Sequence, residues 1–372
     1  MKLVIDLLGF KYGKSYGFQE YLLNLLDDFS ESRDMIRAQH IILLINQSEY
    51  QFFYNRYSNT FEYKSYNCSG LFKRLFHETK IIRDLCLTAN DVLLFVGNTM
   101  PFIRCKAHKI LVIHDLLYRY GPYFSKSLYN FLFRLHRYIF VPYSIRNADK
   151  IIAISQFTRS EIIEAYHTYP DKIVPIYNYF NFEKYSQDNI TDKSVINGKY
   201  ILSICAKYKH KNHITILKAF EKFATNYPDY SLVIIGLLSE EAQRYMDMLP
   251  DEISNRVIVR QHLSNADIQK VYQNASLYVS SSLYEGLGMP VVEALYFGLP
   301  TLLSDIKVHH EVSLENAYFF DSLSDDDLSI LFEKNIISKG QVDEDFKATL
   351  VQMYSRENTS MRYISVINSF MS

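Results

Sequence analysis

The sequence contains no tryptophan, and among its 372 residues only 12 are glycine, 9 are proline and 4 are cysteine. So few glycines and prolines exclude a collagen-like or low-complexity chain. The cysteines have neither CxxC spacing nor histidines at metal-site intervals, which argues against a disulfide framework and a zinc cluster. We therefore expect a reducing, cytoplasmic environment. The four cysteines are Cys68, Cys86, Cys105 and Cys205.

Segments that would enter or cross a membrane are also lacking. Asp6 interrupts the N-terminal apolar run after only three residues, which is atypical of a signal peptide. The longest apolar stretch, residues 277–303, contains two glutamates, three glycines and two prolines. This composition is unfavourable in a hydrocarbon core, so the stretch is predicted to form a strand, a loop, a helix and a second strand.

What the sequence does contain is a globular composition, with 48% hydrophobic and 22% charged residues, and a length that predicts two domains. The formal net charge is -1. However, the first 180 residues hold 22 Lys and Arg against 16 Asp and Glu, whereas the remainder holds 18 against 25. A basic N-terminal half is therefore joined to an acidic C-terminal half.

Short apolar runs alternate with amphipathic stretches along the whole chain. Residues 17–29, for example, place Phe18, Tyr21, Leu22 and Leu25 at helical spacing. This alternation predicts an α/β protein with two doubly wound, Rossmann-like parallel sheets. The predicted strands are residues 2–9, 40–47, 91–97, 109–116 and 150–155, followed by 199–206, 230–236, 256–261, 275–281 and 300–305.

The segment of residues 186–199 is polar and has no apolar period, so it is predicted to be a linker. It separates an N-terminal domain, residues 1–185, from a C-terminal domain, residues 200–353. Residues 354–372 are predicted to form a terminal helix.

Residues 9–15, with the sequence GFKYGKS, come close to a phosphate-binding P-loop. They place three residues between the glycines where that motif has four, so the loop amides would not close around a phosphate in the usual geometry. A tight strand-to-helix turn that uses Gly9, Gly13 and Gly17 is the better interpretation. The turn follows the first predicted strand, at the sheet edge where ligands of open α/β folds bind.

Residues 284–300, with the sequence YEGLGMPVVEALYFGLP, have stronger features of a binding site. The first two glycines allow backbone to approach a ligand, and Pro290 suits a helix start whose amides would face an anion. Glu285 precedes the loop, and Glu293 is predicted in the first helical turn. An acid there commonly does no more than satisfy the helix dipole. Together with the glycine loop, however, the two acids predict a diphosphate cradle bordered by hydroxyl acceptors.

This motif resembles the signature of the retaining family 4 glycosyltransferases, in which two glutamates with seven residues between them flank a glycine-rich turn. The resemblance implies the GT-B fold, with two Rossmann-like domains facing across a cleft and a terminal helix that crosses back to the N-terminal domain. It continues along nearly the whole chain in the family's order. The other similar segments are residues 109–116, 147–162, 199–220, 300–305, 310–312 and 354–363.

The resemblance also implies an activity. The protein would transfer a hexose such as mannose, with retention, from a nucleotide diphosphate sugar to a saccharide or lipid-linked saccharide acceptor in cell-envelope polysaccharide synthesis. A donor phosphate oxygen would take the acceptor's proton, so no protein general base is assigned.

Individual roles follow from the same resemblance. Glu285 would hold donor-sugar hydroxyls, Lys211 would neutralise the departing diphosphate, His114 would reach the donor sugar from the N-terminal domain, and Glu293 would accept the ribose hydroxyls. The other implicated residues are Gly13 and Gly17 at the cleft and, around the donor, Lys207, His210, Asn212, Gly286, Leu287, Gly288, Met289, Pro290 and Val291.

Two of these residues also have simpler structural interpretations. Lys211 would be a solvated cation in a basic loop, and His114 would be a strand-end histidine capped by Asp115. The chain also departs from the family at His210, where arginine is common, and at Cys205, where glycine is usual. These departures put the identity of the donor in question.

No metal or other cofactor is expected, because the nucleotide sugar is a substrate and no convincing aspartate pair follows a strand. Residues 325–327 are better explained as a helix cap, and residues 343–345 as a helical acidic run. Amides at the helix start and Lys211 would instead stabilise the charge that develops on the diphosphate.

Three alternatives stay open at this point. A P-loop phosphotransferase would need the shortened loop of residues 9–15 to bind nucleotide and magnesium. A sugar-nucleotide epimerase can share the GT-B fold. A partner that binds the donor without turnover is the non-enzymatic alternative, and the presence of Glu285, Glu293 and Lys211 argues against it.

Two basic aromatic segments, residues 71–83 and 118–146, predict contact of the N-terminal domain with an anionic membrane surface. The alternative is that the second segment only covers the sheet, with Phe131, Leu132 and Leu135 in the core. The protein is thus expected in the cytoplasm or peripherally at the inner face of the cytoplasmic membrane, with no nucleic-acid partner.

Overall fold

The computed structural model describes residues 1–13, 16–68, 71–121, 128–182, 195–261, 263–336 and 343–371. The chain forms two compact units. The chain passes from the first to the second at Phe180, earlier than the predicted boundary at residue 185, and most of the predicted linker, residues 186–194, lies outside the described residues. The first unit comprises Met1–Arg119, Ser127–Phe180 and Tyr354–Ser372, and the second comprises Tyr120–Lys126 and Asn181–Met353.

The first unit is built on a seven-stranded parallel sheet with the order β3-β2-β1-β4-β5-β6-β7. The five strands predicted for this half are confirmed. The sequence does not predict β3, which carries polar residues at the sheet edge, or β7, which has only three residues. The strands are β1 (Lys2–Leu7), β2 (His40–Asn46), β3 (Glu62–Tyr66), β4 (Val92–Phe95), β5 (His108–Ile113), β6 (Lys150–Ala153) and β7 (Ile173–Pro175).

Helices connect these strands in the manner of βαβ units, which keep neighbouring strands parallel, except between β4 and β5, where the connection contains no helix. Leu22, Leu26 and Phe29 line the buried face of the first helix, as the helical spacing predicts. The helices are α1 (Tyr16–Glu31), α2 (Tyr50–Tyr57), α3 (Leu71–Asp84), α4 (Leu128–Asn147) and α5 (Gln156–Tyr166).

The second unit contains a six-stranded parallel sheet with the order β10-β9-β8-β11-β12-β13. Its five predicted strands are confirmed, and the stretch of residues 277–303 forms the strand, loop, helix and second strand that its composition indicates. The strands are β8 (Lys199–Cys205), β9 (Tyr230–Gly236), β10 (Val257–Arg260), β11 (Leu277–Ser280), β12 (Thr301–Ser304) and β13 (Tyr318–Phe320).

The helices of this unit cover both faces of its sheet, as an all-parallel sheet requires. Phe220, Phe223 and Phe332 are fully buried between helices and sheet. The helices are α6 (His213–Asn226), α7 (Glu240–Met246), α8 (Asp251–Ser254), α9 (Asn265–Asn274), α10 (Met289–Tyr296), α11 (Lys307–Ser313), α12 (Asp325–Asn335) and α13 (Glu344–Met353).

Each sheet changes the direction of its strand order once, between β1 and β4 in the first unit and between β8 and β11 in the second. Ligands of open α/β sheets bind outside the carboxyl ends of the strands at such a point. In the second unit, the loop after β8 carries Lys211 and the loop after β11 carries Glu285. The strand order therefore brings two loops that are far apart in sequence to the same position.

The final described residues belong to the first unit. Arg356 Nε lies 2.9 Å from the buried Asp28 carboxylate of α1, and the Tyr363 hydroxyl lies 2.9 Å from that of Tyr21 on the same helix. The predicted terminal helix is unbroken from Glu357 to Asn368. It consists of a π-helical turn, Glu357–Met361, followed by α14, Arg362–Asn368.

Among the helices in the described ranges, none has the length and apolarity that a membrane span requires.

Candidate active site

The glycine-rich loop between β11 and α10 ends at Gly288, which is the N-cap of α10. Gly288 has φ of 91°, a left-handed conformation that strains any residue with a Cβ atom. As a glycine, it has no side chain to cap this helix start, and its carbonyl oxygen accepts from Val291 N at 3.0 Å. The positive end of the α10 dipole faces the glycine-rich loop, which suits an anion.

The residues predicted around this anion lie together in the loop and the first turn of α10. Leu287 is buried, which anchors the loop to the core while its backbone stays at the strand end. Their contact with a donor stays a prediction. The residues are Gly286, Leu287, Gly288, Met289, Pro290 and Val291.

Glu285 and Lys211 form an ion pair across the point where the strand order reverses. Lys211 Nζ donates to Glu285 Oε1, and the Ser282 hydroxyl donates to the same oxygen at 2.7 Å. The side chains of Lys211 and Glu285 are only 19% and 14% exposed. The interpretation of Lys211 as a solvated loop cation is therefore wrong.

The charge state of Glu285 follows from these contacts. Burial by itself raises the pKa of this carboxyl group, but the charge of Lys211, a smaller contribution from His210 and the hydrogen bonds from Lys211 and Ser282 outweigh burial and lower the pKa to about 2. Glu285 is thus ionised near neutral pH. It can accept hydrogen bonds from hydroxyl groups, but it holds no proton to donate as a general acid.

The basic loop after β8 is fixed by its own backbone and rings. The buried His210 ring stacks on the exposed Tyr208 ring with centroids 5.7 Å apart, and the His210 carbonyl accepts from Leu283 N at 2.7 Å. Lys207 is exposed in the same loop. Because His210 carries backbone contacts to the loop after β11, it holds the two site loops together.

Asn212 occupies a left-handed conformation, with φ of 52°, at the end of the same loop. Its side-chain amide donates to the Ser322 carbonyl at 2.7 Å, and its own carbonyl accepts from the Ser281 hydroxyl at 2.9 Å. The Asn212 side chain therefore ties the loop to neighbouring backbone. The predicted contact of Asn212 with the donor stays a prediction.

Glu293 lies deeper in α10 than predicted. The helix begins at Met289, because Gly288 is its N-cap, so Glu293 is the fifth helical residue and not a first-turn acid. An interaction with the helix dipole does not explain Glu293 at this position, because the effect of the dipole fades beyond the first turn. Glu293 Oε2 instead accepts a 2.6 Å hydrogen bond from the fully buried Tyr272 hydroxyl of α9.

Ser282 and Tyr272, which donate hydrogen bonds to these glutamates, could not be identified as site residues from the sequence. Ser282 stands in a run of three serines directly before the motif, so its proximity to Glu285 was the one available signal. Tyr272 lies 21 positions before Glu293 on a different helix. No local pattern relates these two positions.

His114 follows β5 in the first unit. Its Nε2 lies 2.8 Å from the Val96 carbonyl oxygen, which can only accept, so Nε2 carries the proton. The rings of Phe18 and Tyr21 on α1 contact the imidazole edge to face, with centroids 5.4 and 4.6 Å away. Burial is the main cause that lowers the pKa of His114. The side chain is therefore a neutral imidazole whose Nδ1 is its acceptor.

The loops near His114 differ from two expectations. Asp115 does not cap His114, because its Oδ1 accepts from Leu117 N at 2.9 Å. Gly17 is not part of the strand-to-helix turn, because α1 begins at Tyr16. Gly13 does lie in the turn, with φ of 74°, and its amide donates to Gln19 Oε1 at 2.7 Å.

The acidic run at residues 325–327 confirms the helix-cap interpretation. Ser324 is the N-cap of α12, and its hydroxyl accepts from Asp327 N at 3.1 Å. Three aspartates in the first turn then face the positive end of the helix dipole.

Two family models match the chain in sequence. The one described as Glycosyltransferase Family 4 matches residues 88–184, and the one described as Glycosyl transferases group 1 matches residues 186–348, which include the whole glutamate motif. The chain belongs to glycosyltransferase family 4. The resemblance predicted from the motif is thereby confirmed.

Named relatives come from bacterial polysaccharide synthesis. The chain is 26% identical over 225 residues to the O-antigen chain mannosyltransferase RfbU of Salmonella typhimurium, a match that covers 60% of this chain and 58% of the relative. It is 27% identical over 238 residues to an uncharacterized glycosyltransferase of Haemophilus influenzae, covering 62% of each. The matches thus span roughly three fifths of these relatives.

Solved structures extend the likeness over the full length. Anabaena HepE in complex with UDP-glucose has a TM-score of 0.71 at 15% identity and covers 99% of this chain and 100% of its own. Sucrose-phosphate synthase from Thermosynechococcus elongatus has a TM-score of 0.72 at 11% identity, covering 99% and 98%. The predicted GT-B fold with two Rossmann-like units is confirmed. The placement of the units across a cleft stays a prediction.

Proposed function

We propose that this protein is a retaining glycosyltransferase that moves a hexose from a nucleotide diphosphate sugar to a saccharide or lipid-linked saccharide. The observation that carries the proposal is the ion pair of Lys211 with Glu285 in the loops that precede the start of α10. A cation and the positive end of a helix dipole suit a departing diphosphate, and a permanent carboxylate suits sugar hydroxyls and a ring that becomes positive.

The chemistry assigned to these groups is transition-state stabilisation. The bond between the anomeric carbon and the diphosphate oxygen breaks, and negative charge collects on the diphosphate. Lys211 has three N–H donors, of which the Glu285 bond uses one, so it can bind phosphate oxygen without losing its partner. The acceptor oxygen attacks the face that the diphosphate leaves, and its proton passes to a donor phosphate oxygen.

Mannose is the proposed sugar, because the relatives RfbU and WbdA are named mannosyltransferases. A lipid-linked acceptor is supported by a Campylobacter jejuni relative whose name specifies a diphospho-undecaprenol substrate. A thermal-shift screen over GDP-, UDP-, dTDP- and ADP-sugars tests the donor, since a ligand that binds only the folded protein raises its midpoint. A shift with GDP-mannose is expected.

Transfer itself is tested by incubating the shifting donor with and without a saccharide acceptor. Release of the nucleoside diphosphate and a product with the donor's anomeric configuration are expected. An epimerised sugar in the reaction without acceptor would identify the protein as an epimerase of the same fold. A donor that binds and is never turned over with any envelope saccharide would favour the non-enzymatic alternative.

Glu293→Gln is expected to weaken donor binding about 5- to 100-fold, which corresponds to the loss of about 1 to 3 kcal/mol for hydrogen bonds to a charged group. The variant replaces a carboxylate, proposed to accept the ribose hydroxyls, by an amide with one acceptor oxygen. Donor affinity by isothermal titration calorimetry measures the effect.

Two further variants make that measurement specific. Tyr272→Phe removes the hydroxyl that holds Glu293 and is expected to weaken binding less than Glu293→Gln does. Glu252→Gln removes an exposed carboxylate on α8 and controls for the charge change. Wild-type donor affinity in folded Glu293→Gln would remove Glu293 from the donor site.

We also propose that the first unit contacts an anionic membrane through α4. The alternative that its apolar residues only pack into the core is wrong, because Phe131, Leu132 and Leu135 are 62%, 36% and 46% exposed. Arg134 and Arg137 of this helix instead donate to backbone carbonyls, with Arg134 Nε 3.2 Å from the Tyr118 oxygen and Arg137 Nη1 3.0 Å from that of Gly97. The exposed apolar surface of α4 comprises Leu128, Phe131, Leu132, Leu135, Tyr138 and Ile139.

Cations border this surface. Phe102 is 51% exposed and packs on Phe140 of α4 with ring centroids 4.6 Å apart. The exposed Arg104 and Lys106 lie beside it in the chain, and the exposed Arg146 lies at the end of the helix. Apolar side chains next to cations fit the interfacial region of an anionic bilayer.

Sedimentation with phosphatidylglycerol vesicles tests the membrane contact. Binding is expected at low salt, and it is expected to weaken as salt rises. Joint replacement of Phe131 and Leu135 by Ser should lower the partition coefficient at least tenfold through the lost apolar contact. Arg104→Ser with Lys106→Ser should remove most of the salt dependence.

The control for this test is Met248→Ser with Leu323→Ser, which removes two side chains of the second unit that are each 75% exposed. Equal loss of binding in that control, or a wild-type protein that stays in the supernatant at low salt, would contradict the membrane contact.

A further inference from the structure

One buried histidine has no part in the proposed donor contacts. His309 lies on α11, directly after β12, and is 0% exposed. Its Nδ1 lies 2.9 Å from the Ser304 carbonyl oxygen and 3.2 Å from the Ser304 hydroxyl. Within the described residues, its Nε2 has no hydrogen-bond partner.

The neighbours of Nδ1 determine the proton position. The Ser304 carbonyl can only accept, so Nδ1 must carry the ring proton. The Ser304 hydroxyl donates its own proton to the Ser282 carbonyl, which leaves its lone pairs to accept from His309. Burial, as the main cause, lowers the pKa of His309 to about 4, so the ring is neutral at physiological pH.

These bonds lead directly to the proposed site. His309 Nδ1 contacts Ser304, the Ser304 hydroxyl bonds to the Ser282 backbone, and the Ser282 hydroxyl bonds to Glu285 Oε1. The charges of Glu285 and Lys211 also act on the His309 ring, so it lies within electrostatic range of the pair. The series connects the carboxyl ends of β12 and β11.

Packing alone does not account for a histidine at this position. A buried nitrogen without a partner destabilises the folded state, and an aliphatic side chain would fill an interior position without that penalty. What an aliphatic side chain lacks is a donor that can set the direction of the Ser304 hydroxyl.

We propose that His309 is a positioning residue for Glu285, which it orients through Ser304 and Ser282. The proton on Nδ1 selects the Ser304 rotamer that binds the Ser282 carbonyl. The Ser282 hydroxyl is thereby held against Glu285 Oε1. The effect on activity rests on the proposed transferase function, whereas the proton position in His309 does not.

Three substitutions of His309 separate the effect of its Nδ1 donor from the effect of its side-chain volume. Asn places an amide N–H near the position of Nδ1, Gln places it one bond farther from the backbone, and Leu supplies no donor. His309→Gln and His309→Leu are expected to lower kcat about tenfold, with the KM for the donor changed less than threefold. The tenfold loss corresponds to one missing neutral hydrogen bond. His309→Asn keeps a donor near the position of Nδ1 and is therefore expected to keep kcat within about threefold of wild type.

Ser304→Ala tests the intermediate link. It is expected to lower kcat to the same extent as His309→Leu, and the double variant is expected to be no slower than the slower single variant, because both changes break one series of bonds. His310→Asn is the matched control, since this neighbouring histidine pairs with Asp305 and Glu315 instead. It is expected to retain the wild-type kcat.

Equal impairment of the Asn and Leu variants, or additive losses in the double variant, would overturn the proposal while leaving the transferase function intact. The second measurement is independent of activity. Nitrogen-15 spectra of histidine-labelled protein at pH 7 should show His309 as the neutral Nδ1–H form. An Nε2–H form or a charged ring would overturn the proposal even if no donor were turned over by the wild type.

Discussion

Replacing Lys211 by alanine is expected to lower kcat about 100- to 1000-fold, the range found when one charge-stabilising donor is removed from an active site. Donor affinity is expected to fall much less. The reason is that the diphosphate gains negative charge as its bond to the sugar breaks, so Lys211 binds the transition state more strongly than the ground state. Steady-state kinetics over a range of donor concentrations, together with calorimetric donor affinity, measure both quantities.

Lys334→Ala, which removes an exposed lysine from the last turn of α12, is the matched control and should leave kcat unchanged. If Lys211→Ala loses donor affinity and kcat/KM in equal measure while kcat stays intact, Lys211 is only a binding cation. The transition-state role would then have to move to the amides of α10.

Glu285→Gln is expected to remove a pH-dependent stabilisation of the folded state. The pKa of Glu285 is about 2, against an ordinary value of 4.5. The difference corresponds to about 3 kcal/mol. Since the folded state lowers this pKa, the stabilisation is complete above pH 4.5 and is lost as the pH falls from 4.5 towards 2. Urea unfolding of wild type and variant between pH 7 and pH 3 measures it.

The expected signature is a difference in unfolding free energy that is constant near neutral pH and shrinks below pH 4.5. A difference that does not depend on pH would show that the variant loses packing or strands the Lys211 charge, not the ionised pair. Glu252→Gln, which removes an exposed carboxylate of the same unit, should match the wild-type profile.

Glu285 and Lys211 show what a local sequence pattern can predict about the site and what it cannot. Glu285 could be named from the glycine-rich motif, and Lys211 from the family resemblance together with its place after a predicted strand, where ligands gather. Their ion pair could not be named, because it depends on β8 and β11 being neighbours in the sheet. Without the pair, the low pKa of Glu285 also has no visible cause.

Residues that act on the site only through another side chain could not be identified from local sequence patterns. Tyr272 reaches Glu293 from another helix, and His309 acts on Glu285 only through two serines. A tyrosine or histidine in an apolar helix face looks like ordinary core in a single sequence. The outward face of α4 also depends on tertiary structure, because an apolar stripe shows that a helix is amphipathic but not which side is covered.

By itself, the sequence determined the α/β class, the two Rossmann-like units, most central strands and the family of the glutamate motif. These features depend on periodicity and on residues close together in the chain, which hydrophobic burial and helix or strand geometry translate directly into local structure. Only the tertiary structure decided the order of the strands, the start of α10 at Met289, the partners of both glutamates and the exposure of α4. Each of these depends on contacts between residues far apart in the chain. A sequence pattern shows whether a side chain is buried, but it does not show which residues pack against that side chain.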